Sequence, residues 1–250
     1  MTNSWLAALD STSVGLRKIV QELPEEKLAL PAFGRPDGWS VAQVLSHLGS
    51  AAEICTTLVR RGADGDQTPP TGDDAKPVWA KWDAMAGPEQ REAWFEADQT
   101  HRDVLATVGE TITVPYFAGP LSLSEYAGYR LSEQALHGWD IEVVLDRAAA
   151  VRESELLWQR IDLIVSRFHD ADTRKRLAPR TVTVPGGSLE ITESELHLTG
   201  SKAENPSEAQ LTGGREAVLR LFYGRNRPED GLQTTGNTTL DGLRQLFPGF

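Results

Sequence analysis

The sequence holds a single cysteine, Cys55, among its 250 residues. One thiol excludes an internal disulfide framework and suits a reducing compartment, so a cytoplasmic protein is expected. No apolar run approaches the roughly 18 residues needed to span a bilayer, so no membrane partner is expected. "MTNSWLAALD" has no basic segment followed by an apolar one, and no signal peptide is read there. Positive charge is also scarce. The net charge is −11, and with no basic stripe a nucleic-acid partner is not expected, because neutralising phosphates supplies most of that affinity. The deficit is uneven. Residues 1–150 carry 12 Lys and Arg against 22 Asp and Glu, whereas residues 151–250 carry 13 against 14. That step suggests two units with different surfaces.

What is present is helical periodicity, then alternation. "SWLAALDSTSVGLRKIVQEL" sets Leu6, Leu9, Leu16, Val20 and Leu23 near one stripe. After a Pro- and Gly-rich break, Ser40 and Gln43 form an S-x-x-Q capping box ahead of a second stripe running from Val41 to Leu58. "ADGDQTPPTGDDAK" is polar and reads as an exposed loop. "PEQREAWFEADQTHRDVLATVG" reads as a third helix and "TITVPYFAGP" as a connector. Ser122 and Glu125 make a second capping box and open a long fourth helix. Four helices and no strands predict a four-helix bundle over residues 1–150. Beyond it, "ESELLWQRIDLIVSRFHD" reads as one helix. "TVTVP", "SLEIT" and "ELHLTG" are short alternating strands. "GREAVLRLFYG" and "TTLDGLRQLF" are helices flanking a further strand, "LQTTG". Residues 151–250 are therefore expected to form a small α+β domain, and the fold class is α+β.

On the fourth helix, Glu133 and His137 stand at i and i+4, on one face. A solvated ion pair is the plain reading. Two ligands of a metal is the sharper one, because bundles build metal sites from inward-pointing Glu and His. A third ligand must then come from another helix. His47, between Leu45 and Leu48 at the border of an apolar stripe, is the candidate. His101 lies in the polar "ADQTHRD" and reads as solvated; His169 and His197 belong to the second half. Two imidazoles and a carboxylate suit Zn²⁺, with a fourth position open. Asp140, at i+3 from His137, would orient that imidazole or simply face solvent. Cys55 is two helical turns from His47, roughly 12 Å, too far to share an ion, and reads as a small core residue. Trp39, before the capping Ser40, reads as a hydrophobic staple of the helix start.

Three segments resemble the DinB-like, mycothiol-dependent maleylpyruvate isomerase family. "DGWSVAQVLSHL" is similar to its G-W-[ST]-x-x-x-[LV]-x-H-[LV] signature. "EQALHGWDIEVVL" is similar to its E-x-x-x-H-x-x-D segment. "LTGGREAVLRLFYGR", with the ending "LFPGF", is similar to its C-terminal stretch. The resemblance implies a DinB-like metal-binding bundle over residues 1–150 and a sterol-carrier-like α/β domain over 151–250 that closes over the site. It implies a divalent metal, typically zinc, on His47, Glu133 and His137, and mycothiol as thiol cosubstrate. The family's catalytic arginine falls on Arg225, although "GRNRP" also offers Arg227. A metal-activated thiolate would attack an electrophilic small molecule, giving cis–trans isomerisation if the thiol leaves again and S-transfer if it stays.

Two rival readings stand beside this one. A zinc hydrolase would use the open position to activate water. A non-catalytic binder of small apolar ligands would need no metal triad. The electrophile is not legible in the sequence, and a monomer is expected.

Overall fold

The computed structural model describes residues 4–34, 38–117, 119–200 and 209–249. Asp37 and Phe250, parts of the quoted motifs, and the first three residues of the chain lie outside them. The chain divides into two compact units, Met1–Glu153 and Ser154–Phe250.

The first unit is built on four long helices: α1 (Ser4–Glu22), α2 (Val41–Ala63), α4 (Gly87–Thr107) and α5 (Leu123–Leu145), with a shorter α3 (Gly72–Asp83) after α2. Helix α2 packs chiefly on α4, and α1 on α5. Leu16, Val20, Val44, Leu45, Leu48, Trp94 and Ile141 share one core. Both expected capping boxes are present. Ser40 Oγ accepts from the amide of Gln43 at 3.2 Å, and the Gln43 side chain accepts from the Ser40 amide at 2.8 Å. Ser122 and Glu125 repeat the pattern at 3.3 and 2.9 Å. These caps fix where the two site-bearing helices begin.

Two expectations for this unit are corrected. The polar stretch after α2 is not all loop. Asp74 caps it, accepting from the Thr71 amide at 2.7 Å, and α3 follows. Its buried anchor is Trp82, whose indole donates to Glu53 at 2.9 Å. The connector before α5 is a hairpin, β1 (Thr113–Tyr116) antiparallel to β2 (Gly119–Ser122). Gly62 lets the end of α2 close on the Thr113 carbonyl.

The second unit opens with α6 (Ser154–Trp158) and α7 (Ile161–Arg167), where one helix was expected and turns at Gln159 and Arg160 divide it, followed by α8 (Ala171–Leu177), which lies beyond that expected helix. Strands β3 (Arg180–Val184), β4 (Gly187–Ile191) and β5 (Leu196–Thr199) follow, then β6 (Ala209–Thr212), α9 (Arg215–Phe222), β7 (Gln233–Gly236) and α10 (Leu240–Leu246). The sheet order is β5-β4-β3-β6-β7, antiparallel except for the β3–β6 pair. Val182, Leu189, Leu211, Val218, Leu221 and Phe222 are buried between sheet and helices. A helical region followed by a sheet-bearing one is the α+β class.

Candidate metal centre

Helices α2 and α5 bring His47, Glu133 and His137 together. Glu133 Oε2 lies 3.1 Å from His47 Nε2 and 3.6 Å from His137 Nε2. All three donor atoms lie within 4.8 Å of one another. Ligands of a tetrahedral zinc sit about 3.3–3.5 Å apart for bond lengths near 2.0–2.1 Å. The donors therefore fit one ion with little adjustment, and two nitrogens with one oxygen are a set that Zn²⁺ accepts. His137 is nearly enclosed, whereas the His47 and Glu133 side chains keep 32% and 24% of their surface, so the centre opens on one side.

Asp140 touches that centre through His137. Its Oδ2 lies 2.9 Å from Nδ1 of His137. A carboxylate there fixes the tautomer with the proton on Nδ1, leaving the Nε2 lone pair for the site. Burial pushes the Glu133 carboxyl up. The hydrogen bond from His47 and the charges of His137, His47 and Arg130 outweigh it, and the pKa settles at about 2. Glu133 is thus an anion at any physiological pH.

Trp39 does not act as a simple staple. Its ring lies 5.0 Å from that of His47 and 5.9 Å from that of His137, and 47% of the residue remains exposed. An indole beside both imidazoles gives the open side an apolar edge.

Cys55 is buried with Leu58, Val59, Val114 and Tyr126. Burial raises its thiol above the ordinary value, only partly opposed by the charge of Arg130. It is a protonated core residue, not a nucleophile. His101 corrects a further expectation: it is buried, with Nε2 2.6 Å from the Tyr126 hydroxyl. Spacing carried the signal, since Trp94, Asp98 and His101 recur at i, i+4 and i+7 and all are buried. Sequence reasoning also passed over Arg130, which shares the α5 face of Glu133 and His137 at i, i+3 and i+7 and is 2% exposed.

Arg225 belongs to the second unit. Gly224 turns there with φ 72°, where a Cβ would collide with the backbone of Gly249. The Arg225 amide then donates to the Arg220 carbonyl at 2.7 Å, and Nη1 to the Tyr223 carbonyl at 2.8 Å. Arg227 lies 3.3 Å from Asp230, a carboxylate that also receives Arg220.

Residues 9–142 match the family model of the mycothiol maleylpyruvate isomerase N-terminal domain. No curated protein matches the chain. Among solved structures, the crystal structure of the mycothiol-dependent maleylpyruvate isomerase and that of a histidine-to-alanine mutant of it share the fold. Each is 13% identical, with a TM-score of 0.67, over 94% of this chain and 93% of that chain.

Proposed function

The chain belongs to the mycothiol maleylpyruvate isomerase N-terminal domain family, and from that premise we propose that it is a thiol-dependent enzyme acting on a maleylpyruvate-like electrophile. One observation supports the reading most. His47, Glu133 and His137 converge, within the matched segment, into a donor set that fits one divalent ion. That ion, zinc on this reading, would supply an open coordination position at which the mycothiol thiol is held as thiolate near neutral pH. The sulfur would add to one carbon of a cis double bond conjugated to a carbonyl, the π pair passing to the carbonyl oxygen; rotation about what is then a single bond, and return of that pair with expulsion of the thiolate, would restore the alkene as trans. The thiol is returned unchanged, so no oxidant or reductant is needed. S-transfer is the outcome if the adduct is released instead.

The chain's own residues have distinct parts. Glu133 holds a fixed negative charge, Asp140 orients His137, and Trp39 offers an apolar edge on the open side. Cys55 takes no part, so the thiol must be supplied. Arg225, held by backbone carbonyls beside a tight turn, is the arginine assigned to substrate or cosubstrate, ahead of Arg227. The protein is proposed to act as a cytoplasmic monomer. Among the described residues no helix is long and apolar enough to cross a membrane.

The test measures metal content, melting temperature and thiol-dependent turnover on one set of variants. His47→Ala and His137→Ala should lose the metal. Asp140→Ala should weaken it about 10–100-fold. Arg225→Ala should keep metal and fold yet lose most of kcat/KM, with Arg227→Ala as its control. Full zinc in both histidine variants, or turnover without any added thiol, would sink the proposal.

A further inference from the structure

Arg130 is a buried cation that the first unit does not neutralise. Its Nε is enclosed without a hydrogen-bond partner, and among the described residues no hydrogen bond or ion pair reaches the guanidinium. Arg220 in the second unit shows the usual arrangement. It is also buried, but Glu216 closes on it at 2.8 Å and Asp230 at 2.7 and 2.8 Å. The groups that feel the Arg130 charge are Cys55, Tyr116, Tyr126, Glu133 and His101, which burial keeps neutral. Burial raises the thiol and both phenols, so none of those three is an anion. Glu133 is one, but it is committed to His47 and His137.

A guanidinium cannot shed its proton to escape burial. Left alone it is a net cost to the fold. Its planar fork fits a carboxylate, which would accept two parallel N–H bonds. Its place is also suggestive. Along the axis of α5, Arg130 stands roughly 4.5 Å from Glu133 and roughly 10 Å from His137, and all three project from one face. A small acid reacting beside the triad could set a carboxylate against it.

We propose that Arg130 binds a carboxylate of the electrophilic substrate, in a polar subsite bordered by Tyr116, Tyr126 and Cys55. This rests on the reading that substrate reacts at the triad. The subsite selects for acids and fixes which end of the molecule faces the triad.

Maleate, a cis-unsaturated dicarboxylate, is the probe, and its uncharged diamide the control. Binding is measured by calorimetry on the metal-free and the zinc-loaded protein. Arg130→Met should weaken maleate binding roughly thirtyfold or more, as expected when one partner of a buried charge pair is removed. The diamide should not distinguish the variant from the natural chain. Arg130→Lys should recover little, since an ammonium lacks the fork. In turnover, Arg130→Met should raise KM more than it lowers kcat. The second readout is stability. Removing an uncompensated buried charge should raise the melting temperature by roughly 2 °C or more, with zinc content unchanged. A purely structural arginine predicts the reverse. Maleate bound equally well by Arg130→Met overturns the proposal, as does a variant that melts lower or fails to fold. Weakened thiol binding with unchanged maleate binding also overturns it, because the anion would then be the thiolate. Full zinc retained in both His47→Ala and His137→Ala, with Arg130-dependent maleate binding intact, would count against the metal centre and not against this subsite.

Discussion

His101 shows how much one side chain's surroundings can hide from a local reading. Flanked by Gln99, Thr100, Arg102 and Asp103, it has polar neighbours along the chain and a buried tyrosine in space. Burial, with the charge of Arg130 acting in the same direction, depresses its pKa from 6.5 to about 3. Between those values the unfolded chain binds a proton that the folded chain refuses. Stability is therefore full above about pH 6.5 and falls as the pH drops toward 3, by up to about 1.4 kcal/mol per pH unit. His101→Gln keeps a hydrogen-bonding group for Tyr126 but abolishes the titration. Urea unfolding at several pH values between about 6 and 4 should show the dependence shallower by that slope in the variant. An identical slope would mean that folded His101 takes up its proton normally. Arg130 and Trp39 were obscured for a related reason. Trp39 faces His47 on α2 and His137 on α5, and Arg130 lies near Cys55 on α2, Tyr116 in the hairpin and His101 on α4, so neither environment is contained in its own segment. The donor residues were more legible, because Glu133 and His137 share one helix and His47 sits among leucines.

At the scale of elements, sequence reading succeeded where a cap or an alternation stood alone. The Ser40 and Ser122 boxes marked α2 and α5, and the Val, Leu and Ile alternation marked β3, β4 and β5. It failed where the signals conflicted. Helix α3 begins with Gly72 and two aspartates and contains Pro77, with only Ala75 and Trp82 buried, too few for a visible stripe. Strands β1 and β2 each carry a proline, which weakens any strand reading, and in β6 only Ala209 and Leu211 are buried, too little apolar alternation to stand out. Contact between α2 and α3 makes its own prediction. A methyl at Gly49 would overlap the ring of Trp82, which is buried and tethered to Glu53. Gly49→Ala gains helix propensity of up to about 1 kcal/mol, but overpacking costs about 1–3 kcal/mol. The overlap falls on a held ring, so the net effect should be destabilising, with the melting temperature lower by a few degrees. A variant that melts higher would show that Trp82 can move aside.

For the whole molecule, the change from helical period to alternation and the charge step near residue 150 describe one boundary. The compact units part between Glu153 and Ser154. Limited proteolysis should cut first within about residues 147–155, because the backbone from 146 to 153, between α5 and α6, lacks helix and strand. Two fragments, each resistant to further cleavage, are the expected products. Cleavage inside both halves that spares this segment would argue for a single cooperative domain. The bundle itself has a grain, because α2 leans on α4 while α1 leans on α5. His47 arrives on the first pair, and Glu133 and His137 on the second. The triad is therefore a suture between two halves of one bundle, and prising those halves apart would scatter the donor atoms while every helix stayed wound. On the proposed reading of the triad, inactivation of this protein would then be an early, silent event, complete before circular dichroism registers any loss of structure.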